Sequence, residues 1–309
     1  MLNFLPAPLR GVLTTLLIAI NTLFWFTFLF PTALIKLILP VPTVRRVSSG
    51  AANWMAENWV GTNLRIFRLM QHTRWRVQGA EGLRYGGWYL VIANHQTWVD
   101  IFVLHKVFHR RIPFLKFFIK QALIWFPLMG LAWWALDFPF MKRYSKDYLK
   151  RHPEKRGEDL KTTRRACEKF KDNPTSVINF VEGTRHTPAK HARQQSPFRH
   201  LLKPKAGGVA LVLGAMGDML TSIVDVTIYY PAGKPTFWQF LCGEVREVEL
   251  IVQERPIPPE YVGRDYTQDE DFRAAIQTWI SDLWQETDEL LEKRHERGAL
   301  LSDKSVRDL

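Results

Sequence analysis

Residues 11–35 contain no charged side chain, and Leu, Ile, Phe, Thr and Trp dominate the run. At about 1.5 Å rise per residue, a helix over this stretch can cross a hydrocarbon core of about 30 Å. Asn21 and Pro31 interrupt the run, so a kinked or re-entrant helix immersed in one leaflet fits the pattern as well as a straight span. No small-residue cleavage site accompanies it, which favours a retained anchor over a secretory signal. After the break at Leu39-Pro40-Val41-Pro42, apolar positions recur at helical spacing from about 43 to 71, placing Trp54, Met55, Trp59, Leu64, Phe67 and Met70 among arginines. That spacing predicts a basic amphipathic helix, either resting on a membrane surface or packed on a core.

From Trp75 onward the period shortens. Residues 88–93 read as an apolar strand that enters a polar turn, and 98–108 follow at helical spacing. The pattern then predicts a helix over 159–171, a buried strand over 176–181 and a Gly-containing helix over 207–219. Strands over 223–230 and 245–253 and a packing helix over 267–297 complete it. Strands alternating with helices predict an α/β fold, a mostly parallel sheet flanked by helices on both faces. The expected organisation is a membrane-associating helical region over 1–72 and an α/β domain with a C-terminal helix over 73–309. Such a sheet carries its chemistry at the carboxyl ends of its strands. The polar, basic segment 186–204 is expected as a loop over that edge.

At 309 residues the chain suits one large domain with terminal attachments. Its formal charge of +12 points to anionic partners, without choosing among nucleic acid, acidic membrane and phosphorylated substrate. The apolar N-terminus favours membrane and lipid. Lys36, Arg45 and Arg46 outnumber Arg10 across the apolar run, which places the remainder on the cytoplasmic face of a cell membrane, here the inner membrane. Cys167 and Cys242 are the only cysteines and lack CxxC spacing, so no disulfide framework or zinc ribbon is expected.

Two turns carry candidate chemistry. Asn94-His95-Gln96-Thr97-Trp98-Val99-Asp100 follows the strand ending at Ala93. With Thr97 as N-cap, Asp100 lies in the first helical turn and can reach back to His95. An imidazole oriented by a carboxylate can take a proton from an alcohol attacking an acyl carbon. The same residues also read as a plain capped helix start with a turn histidine. The second turn is Phe180-Val181-Glu182-Gly183-Thr184-Arg185. There Gly183 lets backbone approach a ligand and offers an N–H to an oxyanion or phosphate, and Arg185 supplies a planar fork. A solvated turn with a Glu–Arg pair is the plainer alternative. Between them, Lys142 and Arg143 are candidate phosphate clamps.

Together these segments resemble the glycerolipid acyltransferase family that includes the 1-acylglycerol-3-phosphate acyltransferases. Asn94-His95 through Asp100 matches the family's His-x4-Asp signature, and residues 180–185 match its Phe-Pro-Glu-Gly-Thr-Arg block with Val181 in place of proline. Thr97 stands for the usual serine, Arg143 falls at the arginine of the second motif, and Pro231 lies near a looser fourth. Lys116 or Lys120, followed by Pro127 and Gly130, resembles an intervening stretch, and residues 205–207 another after the third motif.

The resemblance implies acyl transfer from acyl-CoA or acyl-carrier protein to lysophosphatidic acid, with no metal and no further cofactor. His95 would be the base and Asp100 its orienting partner. Arg143, Arg185 and Lys120 would hold the acceptor, with Glu182, Gly183 and Thr184 shaping the pocket. The implied partners are the lipid bilayer, the lysophospholipid acceptor and the acyl thioester donor, with no nucleic acid.

Other readings fit less. No Gly-x-Ser-x-Gly elbow marks a hydrolase, and no third ligand joins His105 and His109 in a zinc site. A different lysophospholipid or glycerol 3-phosphate is the alternative acceptor. A non-enzymatic basic membrane protein explains the charge and leaves the two turns without a purpose.

Overall fold

The computed structural model describes residues 4–39, 41–126, 128–141, 151, 158–171 and 173–307. The predicted clamps Lys142 and Arg143 lie outside the described residues, as does Pro127.

Helix α1 (Ala7–Ile38) keeps Pro31 within it. At 1.5 Å per residue it is about 48 Å long. By length and composition it qualifies to cross a membrane. It nevertheless lies along the rest of the protein. Its buried residues, Gly11, Thr14, Asn21, Leu29, Ala33 and Lys36, form one stripe at helical spacing. Near the start, a Cβ on Gly11 would sit 2.6 Å from the Cys242 sulfur, so only glycine permits that approach. In the middle, Asn21 donates to the Trp59 carbonyl (3.0 Å) and to Asn63 Oδ1 (2.9 Å), both on helix α2 (Pro42–Met70). At the end, Lys36 donates to Asp137 Oδ2 (2.7 Å) and to the Ala135 carbonyl (2.8 Å). Ser49 shares that carboxylate, and Lys169 lies 3.2 Å from its other oxygen. Of the two interruptions of the apolar run, Asn21 is thus a docking point, whereas Pro31 is exposed. Lys36, read from sequence as a flanking charge, is consumed in a buried ion pair, leaving Arg45 and Arg46 exposed. The other side of α1 exposes Leu16, Ile20, Leu23, Phe24, Phe28 and Leu34.

The remaining elements build a six-stranded sheet among the described residues. Its strands are β1 (Arg74–Gln78), β2 (Tyr89–Ala93), β3 (Leu115–Phe117), β6 (Ser176–Phe180), β7 (Ser222–Tyr229) and β8 (Glu247–Arg255), in the order β1-β8-β7-β2-β6-β3. Strands β4 (Ile119–Lys120) and β5 (Phe140–Met141) form a separate parallel pair. Strands β7, β2, β6 and β3 run parallel, whereas β8 is antiparallel to β7 and carries β1 parallel to itself. The mostly parallel sheet expected from the alternation is present, with its last two strands reversed.

Both faces are covered, because successive side chains of a strand point to opposite sides. Tyr89, Val91 and Ala93 of β2 pack with Val224, Val226 and Ile228 against helix α3 (Val99–Phe108). Leu90 and Ile92 join Ile223 on the other face, against α7 (Gly207–Met216) and α9 (Glu270–Arg307). Two short helices, α4 (Met129–Ala135) and α5 (Glu158–Cys167), lie between the motif-bearing strands β2 and β6. The expected loop 186–204 contains a helix, α6 (Pro188–Gln194), whose first turn is capped when Thr187 Oγ1 accepts from the Lys190 N–H. Helix α8 (Phe237–Leu241) opens with a capping box between Thr236 and Gln239.

Candidate active site

Parallel pairing brings the ends of β2, β6 and β7 to one edge, with Ala93 in register with Phe180 on one side and Val226 on the other. Asn94 then substitutes for a strand residue. Its side-chain amide donates to the Ile228 carbonyl (2.9 Å) and its Oδ1 accepts the Ile228 N–H (2.8 Å). The turn that follows is therefore fixed to β7 before the first reactive side chain appears.

His95 and Asp100 meet across that turn, Nδ1 to Oδ2, at 2.9 Å. The Asp100 carboxylate is fully buried and compensated by four donors. Besides His95, its Oδ2 accepts the N–H of Gln96 (2.6 Å) and of Thr97 (2.9 Å), and its Oδ1 accepts the hydroxyl of Tyr230 (2.7 Å). The first turn of α3 adds the partial positive charge of a helix N-terminus. Thr97, expected as the N-cap, accepts the Val99 N–H at 3.5 Å while donating its hydroxyl to the Pro235 carbonyl (2.8 Å), and the Asp100 carboxylate takes the shorter amide bonds of the turn. An ionised carboxylate only accepts, so Nδ1 carries the hydrogen and Nε2 the lone pair. Among the described residues no group bonds Nε2. The imidazole stacks on Phe180 with centroids 3.9 Å apart and planes 15° from parallel, which fixes the ring plane.

Glu182 is fully buried, and both of its oxygens are engaged by the protein's own amides. One accepts the His95 N–H (2.8 Å) and the other the Leu202 N–H (3.0 Å). Burial lifts its carboxyl to about 7, against the opposing pull of those two bonds. It braces the His95 turn to the chain beyond α6, and so acts on the site through the backbone of that turn.

Gly183 adopts φ +66°, which explains glycine there, and a Cβ would lie 3.2 Å from the Lys205 side chain. Its N–H is donated to the Phe180 carbonyl (2.8 Å), so the amide expected to face an oxyanion is already used. The N–H groups of Thr184 and Arg185 have no such acceptor among the described residues. Lys190 donates to Thr184 Oγ1 (2.7 Å) and to the Arg185 carbonyl (3.0 Å). The Arg185 guanidinium lies over the Trp98 ring, 4.4 Å from its centroid. The next residue, His186, donates its N–H to the His95 carbonyl (2.7 Å). Its ring contacts Lys234, and burial together with that ammonium pushes the imidazole down to about 4, so it stays uncharged.

Lys120 is exposed at the end of β4, in register with Met141, just beyond the end of β3; the hydrogen bonds and ion pair of the dyad do not include it. Lys116 is buried within β3, its ammonium 5.1 Å from the Phe170 ring centroid. Sequence reasoning missed Tyr230, Lys190 and Lys234. Only Tyr230 left a signal, since it stands at the end of a predicted strand beside the strand-ending proline.

The family model described as Acyltransferase matches residues 74–231. A 1-acyl-sn-glycerol-3-phosphate acyltransferase gamma of Mus musculus is 27% identical over 223 residues, covering 68% of this chain and 54% of the relative. A 2-acyl-1-lysophosphatidylinositol acyltransferase of Saccharomyces cerevisiae is 24% identical over 251 residues, covering 69% and 63%. The chain thus spans about half the length of the mouse relative that it matches. Among solved structures, a 1-acyl-sn-glycerophosphate acyltransferase from Thermotoga maritima aligns with a TM-score of 0.47 at 19% identity, over 90% of this chain and 97% of that one.

Proposed function

This chain belongs to the acyltransferase family, and from that premise we propose that it moves a fatty acyl group from an acyl thioester to the free hydroxyl of 1-acylglycerol 3-phosphate. The observation that carries this reading is the His95–Asp100 pair, with Nε2 unengaged among the described residues, on the strand edge that also carries Arg185. His95 takes the proton of the acceptor hydroxyl as its oxygen attacks the thioester carbon. The tetrahedral intermediate then expels the thiolate, which recovers the proton from the imidazolium. Asp100 stabilises that imidazolium throughout. The amides of Thr184 and Arg185 are the donors for the developing oxyanion, in place of Gly183. Arg185 holds the acceptor phosphate, with Arg143 and Lys120 as further clamps carried over from the family resemblance.

Residues 1–72 are the membrane-associating region and 73–309 the catalytic domain. A helix docked at its beginning, middle and end along the domain, with Leu and Phe on its free side, fits immersion in one leaflet better than a perpendicular span. The site would then face the cytoplasm from the inner membrane, where both lipids reside.

The test incubates membranes containing the protein with radiolabelled acyl-CoA and an acceptor panel of lysophosphatidic acid, lysophosphatidylinositol and glycerol 3-phosphate. Wild type is expected to label lysophosphatidic acid fastest, and His95→Ala to label none. Equal product from both proteins rules out the proposed chemistry. A preference for another acceptor transfers the assignment to that lipid.

A further inference from the structure

Because β1 and β8 run against β2, β6 and β7, their amino ends reach the same edge as the dyad. Arg74 pairs with Glu247, and Tyr229 with Glu249 two residues further along β8. Three strand spacings of about 4.8 Å separate β1 from β2, so this part of the edge lies roughly 14 Å from the His95 turn. It carries a groove. One hollow of about 310 Å³ is floored by Phe67, Trp75, Phe102 and Phe240. It shares His72 and Arg74 with a wider one of about 850 Å³ that reaches Arg246. Arg68, Arg74, Lys106 and Arg246 rim the two, and all four are exposed. None of them forms an ion pair among the described residues. Two carboxylates also line the wider hollow, Glu244 and Glu247, and Glu247 already faces Arg76 at 2.5 Å.

We propose that this groove binds the phosphorylated nucleotide of an acyl-CoA donor, with its thioester arm reaching along the edge to His95. The inference rests on the acyl-transfer reading above and names the donor for it. Unpaired cations above an aromatic floor suit a ligand with several phosphates and a flat base. Position excludes the acceptor. In a lysophosphatidate the phosphate and the reacting hydroxyl sit on neighbouring carbons, so its clamps must be close to His95, whereas phosphates bound roughly 14 Å away need a long arm to the reacting carbon. The two sets of cations also flank the dyad. Arg185 and Lys120 lie on the β6 and β3 side and the groove on the β8 and β1 side, so donor and acceptor approach His95 from opposite directions.

The experiment compares wild type with Arg74→Glu/Lys106→Glu on two donors, an acyl-CoA and an acyl N-acetylcysteamine thioester that lacks the nucleotide. The expected result is a KM for acyl-CoA raised about tenfold or more with kcat kept, and an unchanged KM for the truncated thioester. An unchanged KM for acyl-CoA overturns the proposal, as does an equal shift for both donors. With acyl-carrier protein added as a third donor, a rise confined to it also overturns the proposal, because the groove would then meet an acidic protein. Loss of binding to anionic vesicles with an unaltered acyl-CoA KM does the same in favour of lipid headgroups. Titration with desulfo-CoA reads the groove without turnover. Binding by wild type that the variant loses supports the proposal even if the acyl-transfer reading fails, and equal affinities refute it.

Discussion

Replacing Asp100 by Asn isolates the charge of the dyad from its geometry. Oδ2 takes three donors, from His95, Gln96 and Thr97, so an asparagine must place its oxygen there. Its amino group then faces the Tyr230 hydroxyl, which turns its own hydrogen aside and accepts. The tautomer of His95 and the capping of α3 survive; the negative charge does not. With unit charges about 4 Å apart and an effective dielectric near 20, the lost attraction to an imidazolium is about 4 kcal/mol, a ceiling of about a thousandfold in rate. The His95 side chain is 12% exposed, so solvent recovers part of this, and a fall in kcat of about a hundredfold to a thousandfold is expected. KM for both substrates should move little, because ground-state contacts are kept. The assay is steady-state acyl transfer to lysophosphatidic acid, with His95→Ala as the floor and a thermal melt to check folding. An Asn variant with a normal melt and a kcat within a few-fold of wild type would refute the charge argument.

Two other substitutions probe the braces of the fold. The folded chain holds a proton on Glu182 up to about pH 7, where an unperturbed carboxyl titrates near 4.5. The stabilisation from this raised value is complete below the unfolded pKa and is lost as pH rises through 7. Glu182→Gln carries no such proton. The unfolding free energy of wild type relative to this variant should therefore drop by on the order of 3 kcal/mol between pH 4.5 and 8, as read by denaturant titration in detergent; a gap independent of pH would contradict it. Among the described residues, Lys36→Met leaves Asp137 with Ser49 and Lys169. A loss of about 3 kcal/mol is expected, largely restored when Asp137→Asn is added, and a single variant as stable as wild type would show that the pair contributes nothing.

Much of the architecture was legible because burial leaves strong periodic marks. Residues 88–93, and 176–181 apart from Ser176 and Asn179, are apolar since both faces of the sheet are covered, and each run leads straight into a polar turn at the reactive edge. The short strands β3, β4 and β5 were not legible, being two or three residues long and dependent on partners remote in sequence. The reversal of β8 was equally hidden, since an apolar run does not encode direction. At the site, the meeting of His95 with Asp100 followed from their spacing across a turn. The use of Glu182 and Gly183 did not, because which acceptor an amide finds depends on segments such as 202 that fold back from elsewhere. Asn21 looked like a defect in a membrane helix and Lys36 like a flanking charge, and only the presence of α2 and Asp137 turns them into contacts.

The attachment of α1 at three places along its length bears on how the reaction meets its lipids. An anchor on a flexible tether would let the catalytic edge wander through a range of heights and tilts above the bilayer. Here the keel and the hull are one casting. On the proposed immersion of α1 in one leaflet, the depth at which Nε2 of His95 meets the headgroups would be settled when the chain folds, before any lipid arrives, and neither linker length nor recruitment would adjust it afterwards.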